Sequence, residues 1–276
     1  MNDLAIAQYA ARRGAEVLLR YWETLGKDDA DLKARHDWVS KADRESEEAI
    51  VAAIREHRPD DAFLGEESGM TAGAAAADRM WVIDPLDGTS NYLQHFPIWS
   101  VSIALRENGE TTTAAIYEPL RDLFFTATRG GGAFRNGERM NISTQERVEG
   151  SFLATGFPFR AQEYVERYVA IFTDIIRVSK GVRRAGSAAL DLAYTAAGVF
   201  DGFFEMHLAA WDVAAGALLV TEAGGVVTDF SGGQRWLDRG NIVGAAPKVH
   251  AELLGIIARH VSEDDLDHRK GAQPGA

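Results

Sequence analysis

Asp84 and Asp87 stand three residues apart in the stretch Trp81-Val82-Ile83-Asp84-Pro85-Leu86-Asp87-Gly88-Thr89-Ser90-Asn91. A short apolar run breaks there into a turn, with Pro85 fixing one backbone angle and Gly88 freeing another. Two carboxylates ending a buried strand can point into one space. Held close, they repel and raise each other's pKa unless a cation lies between them. Hard oxygen ligands favour Mg²⁺, Mn²⁺ or Ca²⁺. A strand followed by an Asp-rich turn and a helix cap accounts for the same residues without chemistry. Thr89-Ser90-Asn91-Tyr92 adds hydroxyls and backbone N–H groups at a helix start, an arrangement suited to an anion.

Other acids fall at the ends of predicted elements. Glu66 and Glu67 close a strand over 62–67, and neighbours in a strand face opposite sides, so only one of them joins a given site. Asp43 lies three residues after Ser40, in capping-box position. Asp212 opens a helix, serving as N-cap and candidate ligand at once. Glu205 is an acid inside the apolar strand 203–206. Each has a capping or surface explanation alone. Together, with few cationic side chains near them in sequence, they ask for partners, because a buried carboxylate needs one.

The elements that must position these groups follow from periodicity. Leu4, Ala7, Ala11, Ala15, Leu18 and Trp22 predict a helix over 3–25, and a second spans 41–57, with Lys33 in the loop between them. The Gly/Ala-rich segment 69–79 reads as a loop. Alternating strands at 100–105, 112–117 and 123–128 form a meander punctuated by Asn108-Gly109, Gly130-Gly131-Gly132 and Asn136-Gly137. No Walker lysine follows these glycines. Beyond a strand at 151–155, helices at 161–178, 187–197, 211–223 and 249–262 alternate with strands at 203–206, 226–230 and 242–245. The pattern predicts a mixed α/β chain of layered elements with mixed sheets. An N-terminal α+β half, 1–147, carries most of the candidate ligands. A C-terminal α/β half, 148–262, carries Asp212 and the substrate-side residues, and a disordered tail covers 263–276.

The 276 residues have a formal net charge of −12, which argues against broad nucleic-acid binding. With no cysteine there is no disulfide, zinc-thiolate site or thiol nucleophile, and the seven histidines form no paired HxxxH motif. No run approaches the roughly 18 apolar residues of a membrane span. No signal-peptide core is visible, so a soluble, cytoplasmic protein is expected.

Gly65-Glu66-Glu67-Ser68, the stretch 81–91, and Trp211-Asp212-Val213-Ala214-Ala215-Gly216 with Glu222-Ala223-Gly224-Gly225 resemble the inositol monophosphatase family of Mg²⁺-dependent, Li⁺-sensitive phosphatases. The three motifs keep the family's order and approximate spacing, over residues 5–260. Segments 184–194 and 202–205 look most like its bacterial inositol-1-monophosphatase branch. The resemblance implies a layered αβαβα sandwich of the sugar-phosphatase type, usually a homodimer. It implies that Glu66, Asp84 and the Leu86 carbonyl hold one Mg²⁺, that Asp84, Asp87 and Asp212 hold a second, and that a third leans on Glu66 and water, with Mn²⁺ a possible substitute. Gly88, Thr89 and Ser90 would meet the phosphate, with Lys33 nearby. Thr89, helped by Asp43, would orient the attacking water together with Glu66. Glu205, Asp212 and the backbone of Gly186, Ser187 and Ala188 would meet a polyol.

Ser40 and Ser90 stand where threonine is common in the family. The wall His207-Leu208-Ala209-Ala210 is less familiar; His207 reads as packing or surface, and this wall bears on substrate choice. The resemblance leaves rivals open: histidinol phosphate, fructose 1,6-bisphosphate or a nucleotide 3′-phosphate as substrate, a protein-binding role with the transcription antitermination machinery, or metal binding without catalysis.

Overall fold

The computed structural model describes residues 1–26, 31–34, 37–71, 77–159, 162–262 and Leu266. In chain order the first half carries α1 (Asp3–Tyr21), β1 (Asp31–Ala34), β2 (Asp37–Val39), α2 (Lys41–Arg55), β3 (Ala62–Gly65), β4 (Gly69–Met70), β5 (Arg79–Asp87) and α3 (Thr89–Leu93). There follow β6 (Ser100–Glu107), β7 (Glu110–Glu118), β8 (Leu123–Thr128), β9 (Gly132–Arg135) and β10 (Glu138–Arg139). The second half carries β11 (Phe152–Thr155), α4 (Val165–Ile176), β12 (Gly181–Arg183), α5 (Ala188–Ala196), β13 (Gly202–Met206) and α6 (Ala210–Glu222). It ends with β14 (Val226–Thr228), α7 (Trp236–Arg239), β15 (Asn241–Ala245) and α8 (Pro247–Ile257).

The larger sheet has eight strands in the order β10-β9-β8-β7-β6-β5-β3-β4, and the smaller has five in the order β12-β11-β13-β15-β14. Alternation along the strands shows how the layers stack. Trp81 and Ile83 of β5, and Val101, Ile103 and Leu105 of β6, pack with α1 and α2 on one face. Val82 and Ala104 turn the other way, into a core shared with α5 and α6. From the smaller sheet, Phe203 joins that central core, while Phe204 and Met206 face α4 and α8. Helix pair, sheet, helix pair, sheet, helix pair: the chain is the expected αβαβα sandwich. Helices α5 and α6, enclosed between two sheets, are buried on nearly every side.

Several expectations change in detail. Lys33 lies in β1, whose pairing of Leu32 with Trp38 makes a short hairpin of the expected loop; its side chain is outside the described residues. The expected meander is present as antiparallel β6, β7 and β8, whereas β3 runs parallel to β5. Pro85 does not end a strand: β5 continues to Asp87, with Asp84 opposite Ser102 and Asp87 opposite Ser100, so one extra residue is accommodated as a bulge. Helix α1 stops at Tyr21, α2 at Arg55 and α8 at Ile257, and α4 starts at Val165 after a 3-10 turn at Gln162–Tyr164. Strand β12 and helix α7 escaped periodicity, each being too short to show a pattern. Of the expected tail, only Leu266 is among the described residues; it is buried, and its carbonyl accepts from Asn241. Among the described residues, no helix is long and apolar enough to cross a membrane.

Candidate active site

The bulge in β5 brings Asp84 and Asp87 to one side, and both are buried. Asp212 arrives from the first turn of α6. One carboxylate oxygen from each of the three lies within 4.8 Å of the others. Glu66, just past β3, lines the same cavity, and Glu67 is not on its wall. Burial holds the Asp84 carboxyl well above its ordinary value, and the charges of Glu66, Asp87 and Asp212 push it further. Burial also raises Asp87, to about 6, against hydrogen bonds from Ser187 and backbone amides and the charge of Arg184. The donor set is all oxygen and strongly anionic, which fits a hard divalent cation and does not fit a soft one.

Asp212 departs from expectation in one respect. The N-cap of α6 is Ala209, and Asp212 stands in the third helical position, accepting the Ala209 N–H at 2.6 Å. Asp43 is placed the same way on α2. Its Oδ2 accepts the Ser40 N–H at 2.8 Å and the Ser40 hydroxyl at 2.6 Å, while its Oδ1 lies 3.0 Å from the Thr89 hydroxyl. Thr89 Oγ1 is also 3.1 Å from the Leu86 carbonyl oxygen. Its single proton goes to one of these, and its lone pairs are free to accept from another donor. Leu86 buries its side chain and presents its backbone to the cavity, and its N–H donates to Asp84 at 2.9 Å.

Gly88 sits between these groups at φ +99°, where a Cβ would come within 3.0 Å of the Ile98 carbonyl oxygen. Only glycine turns the chain there and leaves the Gly88–Thr89 backbone open to the cavity. Helix α3 is five residues long, so free N–H groups rather than a long dipole are what it offers an anion. Ser90 is exposed at the rim.

The cavity, of about 620 Å³, extends from the acids toward α5 and β13. Gly186, Ser187 and Ala188 line it. Ser187 caps α5, and its hydroxyl donates to Asp87, whose Oδ2 also accepts the Ala189 N–H at 2.8 Å. Glu205 lies against Gly156, where a Cβ would stand 1.8 Å from its carboxylate. His207 lines the wall too, its ring 5.0 Å from that of Tyr164. Thus every expected site residue meets at one cavity except Lys33, whose side chain is not described, and Asp43, which reaches it through Thr89.

Sequence reasoning missed four contributors. Glu47, buried on α2, accepts the N–H groups of Glu67 and Ser68, each at 2.9 Å, and so holds the turn that carries Glu66. Its signal was its place four residues after Asp43, on the same helix face. Asn91 ties α3 to the α5 approach by donating to the Ile98 and Ala185 carbonyls at 2.7 and 2.9 Å. Arg184 brings a cation to acids that had few nearby in sequence, stacked 5.3 Å over Phe159. Asp191, four residues after Ser187, is a buried acid on the cavity wall.

Comparison with known proteins bears on this arrangement. The inositol monophosphatase family model matches residues 2–263. "Nus factor SuhB" of Salmonella typhimurium and of Escherichia coli K12 are each 45% identical over 260 residues, covering 94% of this chain and 97% of theirs. Among solved structures, SuhB of Bartonella henselae superposes with a TM-score of 0.88 at 38% identity, covering 93% of this chain and 98% of that one. The inositol monophosphatase of Anabaena does so with 0.83 at 35%, covering 95% and 97%. Matched over nearly its whole length, with its acids gathered at one cavity, the chain belongs to the inositol monophosphatase family, whose members are metal-dependent phosphatases.

Proposed function

We propose that the protein hydrolyses phosphate monoesters with Mg²⁺, and that its preferred substrate is myo-inositol 1-phosphate, giving myo-inositol and phosphate. The observation that carries this reading is the convergence of Asp84, Asp87 and Asp212 beside the Thr89–Asp43 pair. Glu66, Asp84 and the Leu86 carbonyl would hold one ion, and Asp84, Asp87 and Asp212 a second, with a third on Glu66 and water; Mn²⁺ suits the same donors. When bound, the ions neutralise phosphoryl oxygens and acidify water. The chain supplies the rest. Thr89 donates its proton to Asp43, which leaves the Leu86 carbonyl oxygen available to a cation and a Thr89 lone pair available to the attacking water. Glu66 accepts from that water on its other side. The Gly88 and Thr89 N–H groups, with Ser90 and Lys33, orient the phosphate. Glu205, Asp212 and the Gly186-Ser187-Ala188 backbone meet the alcohol. In this division of labour 1–147 carries most metal ligands, and 148–262 carries Asp212 and the alcohol end.

A panel of esters assayed with Mg²⁺ tests the substrate. Inositol 1-phosphate is expected to exceed histidinol phosphate, fructose 1,6-bisphosphate and adenosine 3′,5′-bisphosphate in kcat/KM. Equal or faster turnover of histidinol phosphate refutes the inositol assignment.

A second role is favoured by the relatives that carry the name Nus factor at 45% identity. In this reading a cytoplasmic homodimer binds proteins of the transcription complex through its outer surface, without gripping nucleic acid directly. Pull-down by wild type and by Asp87→Asn separates the two functions: retained binding with lost turnover supports separate surfaces, and binding lost with turnover contradicts them.

A further inference from the structure

Asp191 is an acid that neither the metal trio nor the Thr89–Asp43 pair uses. It stands in the first turn of α5 with only 2% of its surface exposed, and it lines the cavity. Its backbone is fully engaged: its N–H donates to the Ser187 carbonyl at 3.0 Å, and its carbonyl accepts the Thr195 hydroxyl at 2.7 Å. Its carboxylate is not. Among the described residues, no donor reaches it within hydrogen-bonding distance and no cation within ion-pairing distance. A carboxylate removed from water without a partner is costly, and native proteins rarely keep one without a use. The cavity is where that partner arrives.

The surroundings say what kind of partner. Asp191 shares the cavity wall with Glu205 and Asp87, and the charges of both act on it. Among the described residues, Arg184 is the only Lys or Arg on the cavity wall, and it too lies close enough to act on Asp191. Asp191, with Glu205 on the same wall, calls for a hydrogen-bond donor on the substrate.

We propose that Asp191 contacts the substrate, accepting a hydrogen bond from a hydroxyl of the leaving alcohol, and with Glu205 selects polyhydroxylated leaving groups over those with no hydroxyl. This rests on the phosphatase reading above. Leaving a buried hydroxyl without its partner costs roughly tenfold to hundredfold in affinity.

The test compares wild type, Asp191→Ala and Asp191→Asn with Mg²⁺ on inositol 1-phosphate and on p-nitrophenyl phosphate, whose leaving group has no further hydroxyl. Asp191→Ala should lose about tenfold to hundredfold in kcat/KM on inositol 1-phosphate, mostly through KM, and less than twofold on p-nitrophenyl phosphate. Asp191→Asn, which keeps shape and one acceptor, should fall between. Mn²⁺ affinity, read by electron paramagnetic resonance, should stay within twofold of wild type. Equal losses on both esters, or a tenfold loss of Mn²⁺ affinity, overturn the proposal, because Asp191 would then act on the scaffold or the ions. Wild-type turnover judges the phosphatase reading separately: if no ester is cleaved, that reading falls and this proposal falls with it.

Discussion

Acids gathered for a cation should destabilise the protein when the cation is withheld. Asp87 gives the size of the effect. Its carboxyl is held at about 6 against an ordinary 3.8, a figure that already sets burial against the help of Ser187, Ala189 and Arg184. The unfolded chain ionises first as pH rises. Stability is therefore full below about 3.8, falls between there and about 6, and stays low above. The deficit at pH 7 is about 3 kcal/mol, at roughly 1.4 kcal/mol per pH unit. Asp87→Asn removes the charge, keeps the shape, and can still accept the Ala189 N–H. At roughly 2–4 °C per kcal/mol for a chain of this size, the variant should melt about 6–12 °C higher than wild type in EDTA at pH 7.5. Near pH 5 about half of that advantage should remain. Mg²⁺ at about a thousand times its Kd should reverse the order, because it adds about 4.1 kcal/mol to wild type, more than the deficit of about 3 kcal/mol, and the variant has lost a ligand. Differential scanning calorimetry at both pH values, with and without Mg²⁺, reads all of this. An EDTA melting point for Asp87→Asn at or below wild type at pH 7.5, or equal Mg²⁺ stabilisation of both, would refute the assignment of Asp87 to a cation.

Two further outcomes follow from the supports of the site. Glu47→Ala frees the N–H groups of Glu67 and Ser68, so Mn²⁺ affinity by paramagnetic resonance should fall about tenfold to a hundredfold, the usual effect of losing an outer support; unchanged affinity would make Glu47 a purely structural acid. Thr89→Ala and Asp43→Asn should each lower kcat about 10²- to 10⁴-fold with Mg²⁺ half-saturation little changed, as expected for groups that handle a proton and not the ion; a matching loss of Mg²⁺ affinity would place the pair in the metal shell.

What the sequence revealed depended on how local each feature is. The run from Asp84 to Thr89 was legible because its chemistry is written in consecutive residues. The bulge was not, since it is a property of pairing with Ser100 and Ser102 on β6, and Pro85 alone suggested a turn. The parallel pairing of β3 with β5 was hidden for the same reason. Asp191 was hidden by its helix. Lying between two sheets, α5 is apolar on nearly every side, so no polar stripe marked which face an acid would share with the cavity. Glu47 was obscured by the opposite pattern, one acid among several on an ordinary amphipathic helix.

Asp43 and Asp212 show why capping and chemistry could not be separated by sequence. Each stands third in its helix and accepts the N–H of its own N-cap residue with one carboxylate oxygen, Asp43 from Ser40 and Asp212 from Ala209. That bond satisfies an orphan donor of the first turn. It also fixes the side-chain rotamer, so the carboxylate's second oxygen has a defined direction beyond the helix end. In Asp43 that oxygen meets Thr89, and Asp212 contributes a carboxylate oxygen to the trio with Asp84 and Asp87. A cap needs an acid at this position no less than the site does, and one residue meets both demands. The helix end thereby gives the site what a loop acid lacks: a carboxylate already held in place before any ligand arrives, with little rotamer freedom left to lose on binding.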